Sequence, residues 1–512
     1  MPETPPAIAP EIAPAATPQA LPESGLGLHV VAGATWSVGG TLLRQAIILA
    51  AAVIVARLLT PADYAIGGLA LSMMALFNVL TAQGFAQALI QRPELTDLAC
   101  DSVFWLTSAA GVVVAGGVAL AAPILARFYQ QPALQTTLLW LALGLVIGMI
   151  GTVPNTLLQR AMRFRAINLV ALAAGVISAG LGVAAAWLGH GYWALILPSI
   201  GSNLAVAVGA FWLTAYRPGL RFRWAEIRQV SAFGLALLGS NLVQYFSDNS
   251  DYLIMPRFWT PTAFGHYYFA FERARQPFNL TVAQLGAVFF PAFSRLQGER
   301  ERLRRAYLQS TEFICLIVFP LHVLLIGLAD PLVPWLFGEQ WRPAVPAFQL
   351  FAAYSFMRGL GTLVSPALLA INRAPAALWF NLFRLVLTVP VLLVLGAAGA
   401  DVTTVALVLL AVWMLQAPFF IGYLYRQIGL RWRETWRGLR RLVLATSLMA
   451  AILVGSRWGA AAAGWPLWTG VAGGGLLSTL TFLALTRSPI LEGMAFVRRA
   501  LRPAASPPAS SS

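Results

Sequence analysis

The sequence contains no lysine, and charged residues of any kind are scarce. Only 10% of its 512 residues are charged, 59% are hydrophobic, and the mean hydropathy is +0.73. A soluble domain carries about a quarter charged residues. This composition excludes an ordinary soluble protein and indicates a chain that crosses a membrane many times. Arginine supplies all 34 basic residues, and we attribute the missing lysine to a GC-rich genome.

Residues that carry enzyme chemistry are equally scarce. Cys100 and Cys315 are the only cysteines. We place Cys100 in a loop and Cys315 inside a span, which excludes a disulfide or a thiolate metal site. The four histidines lack metal-ligand spacing, and we find neither a Gly-rich phosphate loop nor a GxSxG elbow. We therefore predict that the protein is not an enzyme and has no cofactor and no metal site.

Long apolar runs predict about fourteen transmembrane helices. Only helices and closed barrels satisfy their backbone polar groups in hydrocarbon, and the runs lack the alternation of barrel strands. The predicted spans are 33–58, 64–91, 103–126, 134–154, 166–188, 192–215, 230–255, 263–292, 306–329, 344–371, 374–398, 402–425, 442–456 and 466–486.

The first dozen spans form two halves that repeat each other at an offset of about 200 residues. ARLLTPADY after the first span matches PRFWTPTAF after the seventh, and GTVPNTLLQRA in the fourth matches GTLVSPALLAINRA in the tenth. Two homologous helical bundles are typical of transporters. The predicted fold class is an all-α polytopic membrane protein with two repeated six-helix lobes plus two C-terminal helices.

The arginines predict the topology, because basic residues are retained on the cytoplasmic side. Twenty-four of the 34 lie in alternate loops and the C-terminal tail, and five lie in the opposite loops. Both termini are then cytoplasmic, and the charge attracts anionic headgroups without indicating nucleic-acid binding. The predicted parts are a disordered tail (1–30), an N-lobe (31–216), an inter-lobe loop (217–229), a C-lobe (230–427), helices 13 and 14 with a basic loop (428–487), and a cytoplasmic tail (488–512).

Five arginines fall inside predicted spans, where each costs about 2.5 to 3.5 kcal/mol if it faces lipid. They must face a hydrated cavity, pair with acids, or snorkel to the membrane surface. Snorkelling remains an alternative for Arg273 and Arg384, whereas Arg44 and Arg358 lie too deep for it. The five candidates for cavity cations are Arg44, Arg273, Arg275, Arg358 and Arg384.

The seventh span carries a polar stripe. Asn241, Gln244, Asp248 and Asp251 follow one another at spacings of 3, 4 and 3, which places them on one face of a helix. Such a stripe either holds helices together, with an aspartate bonded to Arg273 or Arg275, or forms a cation or substrate site. The intramembrane arginines outnumber the acids, so the cavity favours an anion, and the planar guanidinium suits phosphate oxygens.

These segments resemble a known family. ARLLTPADY, GFAQALIQR, FPAFSRLQ with GERERLRRAY, and LADPLVPWLFGEQWRPAVPAF are similar to the polysaccharide-transport branch of the multidrug, oligosaccharidyl-lipid and polysaccharide exporter superfamily. The resemblance implies an inner-membrane flippase with two six-helix lobes around a central cavity. Its substrate would be undecaprenyl-diphosphate-linked oligosaccharide, moved outward for O-antigen, capsule or exopolysaccharide assembly. In related flippases cavity arginines engage the diphosphate, and Arg44 best matches that role.

The resulting prediction is a lipid-linked oligosaccharide flippase that works by alternating access. Its partners would be the lipid-linked oligosaccharide, membrane lipids, and the polymerase and chain-length regulator of the same pathway. Asp248 and Asp251, together with Asn241 and Gln244, are candidates for ion coupling, because no nucleotide site is visible. Two other functions stay open: an ion-coupled multidrug-type antiporter and a non-transporting scaffold for envelope glycosyltransferases.

Overall fold

The computed structural model describes residues 23–81, 95–283, 292–464 and 467–487, with positions 89, 90, 92 and 289; for 23–38 and 225–237 only the backbone is described. These residues form a bundle of α-helices joined by short turns. The helices are α1 Glu23–Leu58, α2 Pro61–Leu80, α3 Asp97–Phe128, α4 Pro132–Ile150, α5 Thr152–Arg160, α6 Phe164–Trp187, α7 Trp193–Thr214, α8 Trp224–Ile254, α9 Pro261–Phe278, α10 Arg300–Phe337, α11 Val345–Gly361, α12 Val364–Ala370, α13 Ala374–Ala397, α14 Val402–Ile428, α15 Trp432–Ala462 and α16 Leu467–Leu485.

The all-α polytopic fold class is confirmed. The described residues of each of the fourteen predicted spans are mainly helical. Among the described residues, ten helical segments are long and apolar enough to cross a membrane. Helix α9 falls outside these ten because it carries Glu272, Arg273 and Arg275. Helix α11 has only 17 residues, and the side chains of α8 are described only at 224 and 238–254. The described part of α16 is a shorter apolar helix. The number of crossings and the domain boundaries therefore stay predictions.

Two predicted spans are broken in the structure, and both breaks have the same cause. The fourth span divides at Gly151 into α4 and α5, and the tenth divides after Gly361 into α11 and α12. Pro154 and Pro366 each occupy the third position of the helix that follows the break. A proline there removes an amide donor and clashes with the carbonyl four residues earlier, so the preceding helix ends.

Two other boundaries were wrong. Helix α1 begins at Glu23, so residues 23–30 are helical rather than part of a disordered tail, and residues 1–22 lie outside the described residues. A glutamate at a helix start interacts favourably with the helix dipole. Helix α3 begins at Asp97, which places Cys100 in its first turn instead of a loop. The hydroxyl of Thr96 caps this helix by accepting from the amide of Ala99 at 3.2 Å.

The sequence repeat is visible in the helix caps and in the packing. Thr60 and Thr260 cap α2 and α9 with their side chains, and a proline follows each. Met162 and Asn372 both adopt left-handed backbone after the short helices α5 and α12. Corresponding helices also pack in the same pairs: α1 with α6 and α8 with α13, α3 with α4 and α10 with α11, and α4 with α7 and α11 with α14.

The two halves meet most closely where α2 and α9 begin. Gly265 lets these helices touch, since a Cβ there would lie 1.7 Å from the carbonyl oxygen of Pro61. The indole of Trp341 is buried, donates to the carbonyl of Ala56 at 2.8 Å and stacks on Phe269. Arg57 donates to the carbonyl of Leu336 at 2.8 Å. We call this the sealed end; the predicted topology places it on the periplasmic side.

Candidate functional site

A cavity of about 340 Å³ lies within the C-terminal half, between α8, α11, α12, α13 and α14. Its wall combines aromatic and aliphatic side chains with eight polar residues: Gln244, Asp248, Asn279, Arg358, Thr362, Ser365, Asn381 and Arg384. The volume is in the lower part of the range of small-molecule sites, and the mix of apolar wall and few polar groups is typical of them. This is the candidate site, and we call it the arginine cavity.

Helical spacing brings the polar groups of the arginine cavity together. Gln244 and Asp248 are four residues apart on α8, and Asn381 and Arg384 are three apart on α13. Residues at these spacings lie one above the other on a helix face. Because α8 and α13 pack against each other, the two faces supply opposite charges to the same wall.

One carboxylate oxygen serves two guanidinium groups. The Nη2 atom of Arg384 lies 2.5 Å from Oδ1 of Asp248, and its Nε donates to Oγ of Ser247 at 2.6 Å. Nη2 of Arg358 lies 3.7 Å from the same Oδ1, and this guanidinium is 5.9 Å from the ring centroid of Tyr354. Arg384 therefore makes two short polar contacts, whereas the ion pair of Arg358 with Asp248 is longer.

The exposed fractions of the two arginine side chains agree with this difference. The side chain of Arg384 is 13% exposed and that of Arg358 is 27% exposed, while Asp248 between them is 17% exposed. Two guanidinium groups against one carboxylate leave the arginine cavity with an excess of one positive charge. The arrangement can bind an anion at Arg358, and Arg384 keeps Asp248 in place.

The second aspartate of the stripe lies in an adjoining chamber of about 30 Å³, which shares Asp248 and Arg384 with the wall of the arginine cavity. The chamber is large enough for one or two water molecules. Asp251 accepts a hydrogen bond from the hydroxyl of Tyr267. Thr388 and Gln416 complete the polar wall. The side chain of Gln416 is 2% exposed, and its Oε1 has no hydrogen-bond partner in the described part of the chain.

Arg275 forms its own pair. Its Nη2 lies 2.6 Å from Oε1 of Glu272, which also accepts from the hydroxyl of Tyr252 at 3.1 Å. The guanidinium lies 5.1 Å from the ring centroid of Phe271. The ion pairs of Asp248 are with Arg384 and Arg358, so the alternative in which Arg275 or Arg273 holds the aspartate does not describe this structure.

The side chain of Arg273 extends from the C-terminal half into the N-terminal half. It lines a pocket of about 140 Å³ formed mainly by α1, α6 and α7, beside Tyr64 of α2. Its Nη1 donates to Oε1 of Gln276 at 2.8 Å. Within the described residues, neither Nε of Arg273 nor the hydroxyl of Tyr64 has a hydrogen-bond partner by geometry. A cation of the C-terminal half thus ends in a mostly apolar pocket of the N-terminal half.

Arg44 and Asn241 lie apart from these groups. The side chain of Arg44 packs on Gly175 of α6, where an added Cβ would lie 2.7 Å from Cγ of Arg44. Neither residue lines the arginine cavity or the pocket that contains Arg273. The structure therefore brings Arg358, Arg384, Asp248 and Gln244 together and leaves Arg44 elsewhere.

Sequence reasoning missed several polar residues of the two cavities. Asn381 and Thr388 were missed, although they lie 3 residues before and 4 residues after the predicted Arg384 on α13, the same signal that identified the stripe on α8. Gln416 is a single polar residue in an apolar helix, and only its rarity inside a membrane span marks it. No sequence pattern indicated Ser247, because its role depends on the hydrogen bond that its hydroxyl accepts from Arg384.

Comparison with known proteins identifies the family. A family model described as polysaccharide biosynthesis protein matches residues 54–346. The lipopolysaccharide biosynthesis protein WzxC of Escherichia coli is 26% identical over 432 residues, which cover 82% of this chain and 87% of that protein. The succinoglycan biosynthesis transport protein ExoT of Rhizobium meliloti is 26% identical and covers 89% of this chain and 92% of its own length.

Solved structures show the same fold at lower identity. The lipid II flippase MurJ in an inward closed conformation has a TM-score of 0.71 at 12% identity and covers 91% of this chain and all of its own. An inward-facing multidrug resistance MATE family transporter of the MOP superfamily has a TM-score of 0.59 at 17% identity and covers 75% of this chain and 94% of its own. The resemblance predicted from the motifs is confirmed, and the chain belongs to the family of polysaccharide biosynthesis proteins.

Proposed function

We propose that this protein is a flippase that moves undecaprenyl-diphosphate-linked oligosaccharide outward across the bacterial inner membrane, for O-antigen, capsule or exopolysaccharide assembly. The observation that carries the proposal is the pair Arg358 and Arg384 around Asp248 in the arginine cavity. An intramembrane cavity with excess positive charge suits an anionic substrate. The names of relatives such as WzxC and ExoT refer to the biosynthesis or transport of polysaccharides.

In this proposal Asp248 acts as the internal counter-anion of the empty cavity. Arg384 has two partners, Asp248 and Ser247, and keeps both throughout. Arg358 exchanges its 3.7 Å ion pair with Asp248 for a phosphate oxygen of the substrate. A guanidinium can bind phosphate through two parallel hydrogen bonds. The contact of Arg358 with one oxygen of Asp248 is too long to provide such bonds. The return of Arg358 to Asp248 then favours release of the diphosphate.

Transport by alternating access requires the sealed end to open. The halves would separate where Gly265 meets Pro61, and Trp341 would release its hydrogen bond to Ala56. Arg273 would leave the pocket beside Tyr64, since it belongs to the other half. The sugar would cross inside the protein while the polyprenyl chain stays in lipid through a lateral opening between the halves.

Asp251 is the candidate for ion coupling that the geometry favours. Asp248 is held by two arginines, which suits a structural and counter-ion role. Asp251 has no cationic partner among the described residues and lies in a small polar chamber. A carboxylate in such a place can bind a proton or a sodium ion in one conformation and release it in the other. We expect Asp251→Asn to abolish the response of flipping to an ion gradient, with substrate binding retained.

We also propose a membrane location, an orientation and neighbouring proteins for this transporter. It would be a transporter without enzymatic activity, placed in the inner membrane with both termini cytoplasmic, beside the polymerase and chain-length regulator of its pathway. Reporter fusions after Gln297 and after Arg437 should report cytoplasm, and a fusion near Gly338 should report periplasm. The opposite result at any of the three would contradict this topology.

Reconstitution tests the function directly. Purified protein in vesicles should move fluorescent undecaprenyl-diphosphate-linked oligosaccharide from one leaflet to the other, as measured by the fraction that becomes accessible to a membrane-impermeant quencher. Protein-free vesicles give the background rate. A strain lacking the gene should accumulate the lipid-linked intermediate in the cytoplasmic leaflet. Export of cationic drugs without movement of the lipid-linked sugar would instead support the multidrug-type antiporter.

A further inference from the structure

The N-terminal turns of α15 carry an exposed arginine stripe. Arg433, Arg437 and Arg440 are spaced 4 and 3 residues apart and are all exposed. This spacing puts their side chains on one face of the helix. The opposite face, which includes Thr435 and Leu439, is buried against the rest of the bundle. The three guanidinium groups therefore point together, away from the protein. We call this feature the α15 stripe.

The charge of the α15 stripe is not neutralised within the described part of the chain. Arg433, Arg437 and Arg440 have no ion pair with a described carboxylate. The nearby start of α10 is different: Arg302 pairs with Glu299 at 2.8 Å, and Arg305 lies 3.7 Å from Glu301. Two neighbouring arginine groups thus share the same membrane side, but only one of them leaves its charge free for another ligand.

The surroundings of the α15 stripe fit a membrane surface. Trp432 and Trp436 flank it with 52% and 59% of their surface exposed. Tryptophan is enriched at the boundary between headgroups and hydrocarbon. One turn after Arg440 the same face continues as Leu444, which is 69% exposed. On this face the arginines lie directly beside exposed tryptophan and leucine side chains. A lipid, with a charged head and an apolar chain, can contact both kinds of side chain, whereas an acidic polypeptide needs only the arginines.

We propose that the α15 stripe is a binding site for anionic phospholipids of the membrane in which the protein resides. The phosphate of the lipid contacts Arg433, Arg437 and Arg440, and its acyl chains lie along Leu444. The site is separate from the arginine cavity, which lies in another part of the bundle. Its occupant would hold α15 against α10, to which α15 is already joined by the ion pair of Glu434 with Arg304 at 3.4 Å.

Native mass spectrometry of the full-length protein tests this site. Phosphatidylglycerol is titrated into the purified protein, and the fraction of protein with one or more bound lipids is measured. Phosphatidylcholine with the same acyl chains is the control lipid. We expect phosphatidylglycerol to bind more tightly, and the preference to decrease as ionic strength rises. Equal binding of the two lipids would overturn the proposal and favour an acidic protein partner.

Matched variants separate the α15 stripe from general positive charge. Arg437→Gln with Arg440→Gln should weaken phosphatidylglycerol binding roughly 30-fold, since each arginine near an anionic surface contributes about a fivefold factor. The control, Arg302→Gln with Arg305→Gln, removes the same charge from a paired group and should change binding less than about threefold. Equal losses in both variants would overturn the site, because net charge alone would then explain binding.

A charge-retaining variant covers the case in which the glutamine variant does not fold. Arg437→Lys with Arg440→Lys keeps both positive charges and should bind phosphatidylglycerol within a few-fold of the wild type, since the surface attraction depends on charge. A loss of binding as large as in the glutamine variant, with the protein intact and correctly inserted, would contradict the proposal. The outcome does not depend on whether the protein moves lipid-linked sugar.

Discussion

The two halves of the bundle share one packing scheme but differ in polar content. Helix α1 and its counterpart α8 each pack against the fifth long helix of their half. Within the described side chains, α1 carries Arg44 and Arg57 as its charged residues, whereas α8 carries Asp248 and Asp251 deep in the bundle. Helix α9 also carries Glu272, Arg273 and Arg275, whereas Asp63 is the charged residue of its counterpart α2.

This difference in polar content indicates that the two halves have different roles. In the C-terminal half, buried charges are arranged in short-range pairs, such as Asp248 with Arg384 and Glu272 with Arg275. The N-terminal half offers an apolar pocket that receives Arg273 from its partner half. A repeat that was once symmetric can therefore keep its packing while one copy acquires the ion pairs and the other remains an apolar frame. Five predictions would break or sharpen this contrast.

The largest effect is expected where the C-terminal ion pair is broken. Arg384→Ala leaves Asp248 with only the 3.7 Å contact to Arg358. Removing one partner of a buried ion pair costs about 3–5 kcal/mol when the other charge is left unpaired, and the remaining contact of Asp248 with Arg358 offsets part of this cost. We expect a large fall in melting temperature in detergent and low abundance in cells. Combining Asp248→Asn with Arg384→Gln should restore most of the stability. A single variant as stable as the wild type would contradict the structural role of this pair.

The contact between the halves gives the second prediction. Gly265→Ala places a Cβ 1.7 Å from the carbonyl oxygen of Pro61, so α2 and α9 must move apart. Overpacking of this kind costs about 1–3 kcal/mol, and it penalises only the conformation in which the sealed end is closed. Gln340 lies at the sealed end, where its Nε2 donates to the carbonyl of Ala56 at 3.1 Å. Thiol labelling of Gln340→Cys, in a protein without Cys100 and Cys315, should therefore become faster in Gly265→Ala.

A matched glycine provides the control for this experiment. Gly180 lies in α6, and nothing lies within 4 Å of the Cβ that Gly180→Ala would add. Alanine also favours helix over glycine. Labelling of the same cysteine should thus be unchanged in Gly180→Ala. Equal labelling in both variants would show that contact between α2 and α9 does not set the closure of the sealed end.

The third prediction compares arginines of the two halves. Arg358→Ala should keep the protein folded but weaken binding of undecaprenyl-diphosphate-linked sugar about 10- to 100-fold, which corresponds to one charged hydrogen-bond contact of about 1.5–3 kcal/mol. Arg358→Lys should restore binding only in part, since lysine lacks the two-pronged geometry. Binding and flipping are measured at matched protein levels in vesicles.

Arg44→Ala sharpens the same comparison. The resemblance to flippases predicts that Arg44 binds the diphosphate, yet its side chain packs on Gly175 outside the arginine cavity. An effect smaller than that of Arg358→Ala would place the diphosphate in the C-terminal half. An equal or larger effect of Arg44→Ala would show that the substrate engages both halves. Wild-type binding in both variants would exclude a diphosphate clamp made from these residues.

The smallest effects concern helix caps. In the N-terminal half, Asp63 accepts from the amide of Tyr192 at 3.1 Å and so helps cap α7 from another helix. In the C-terminal half, α14 carries its own cap, Asp401, which accepts from the amides of Thr403 and Thr404. Each cap contributes about 1 kcal/mol. We expect Asp63→Ala to lower the melting temperature slightly more than Asp401→Ala, because Asp63 also bonds to Thr60.

The cap of α14 also predicts a pH dependence. The hydroxyl of Thr404 donates to Asp401 and holds the pKa of this exposed carboxyl below its usual value. A group with a lowered pKa in the folded state stabilises the protein above its unfolded pKa, near 4, and this contribution is lost as pH falls through the folded value. The difference in melting temperature between wild type and Asp401→Asn should therefore shrink below about pH 4. A constant difference would contradict this assignment.

Much of the fold followed from local patterns. Apolar length predicted the helical segments, and the repeated TP motif predicted that α2 and α9 begin alike, at Thr60 and Thr260. The polar stripe of α8 was also visible, because a spacing of 3 and 4 is independent of context. The breaks before Pro154 and Pro366 were missed, since proline is tolerated in many membrane helices and the surrounding packing decides whether it ends one.

The candidate site was predictable only in part. The sequence singled out Arg358, Arg384 and Asp248 as costly intramembrane charges, but it did not pair them. Asp248 lies more than one hundred residues before either arginine, and α8 meets α13 only through the packing of the whole half. Arg273 shows the same limit, since its own helix gives no indication that it extends into a pocket of the other half.

The sequence alone determined that the chain is an all-helical membrane protein with a duplicated core and an excess of intramembrane arginine. These properties depend on hydropathy, helical period and local repetition, which neighbouring residues along the chain already contain. The tertiary structure decided which guanidinium meets Asp248, which aspartate remains without a cation, and which arginine crosses between halves. Electrostatic energy depends steeply on distances of a few ångströms between residues far apart in sequence, and only the packed helices fix those distances.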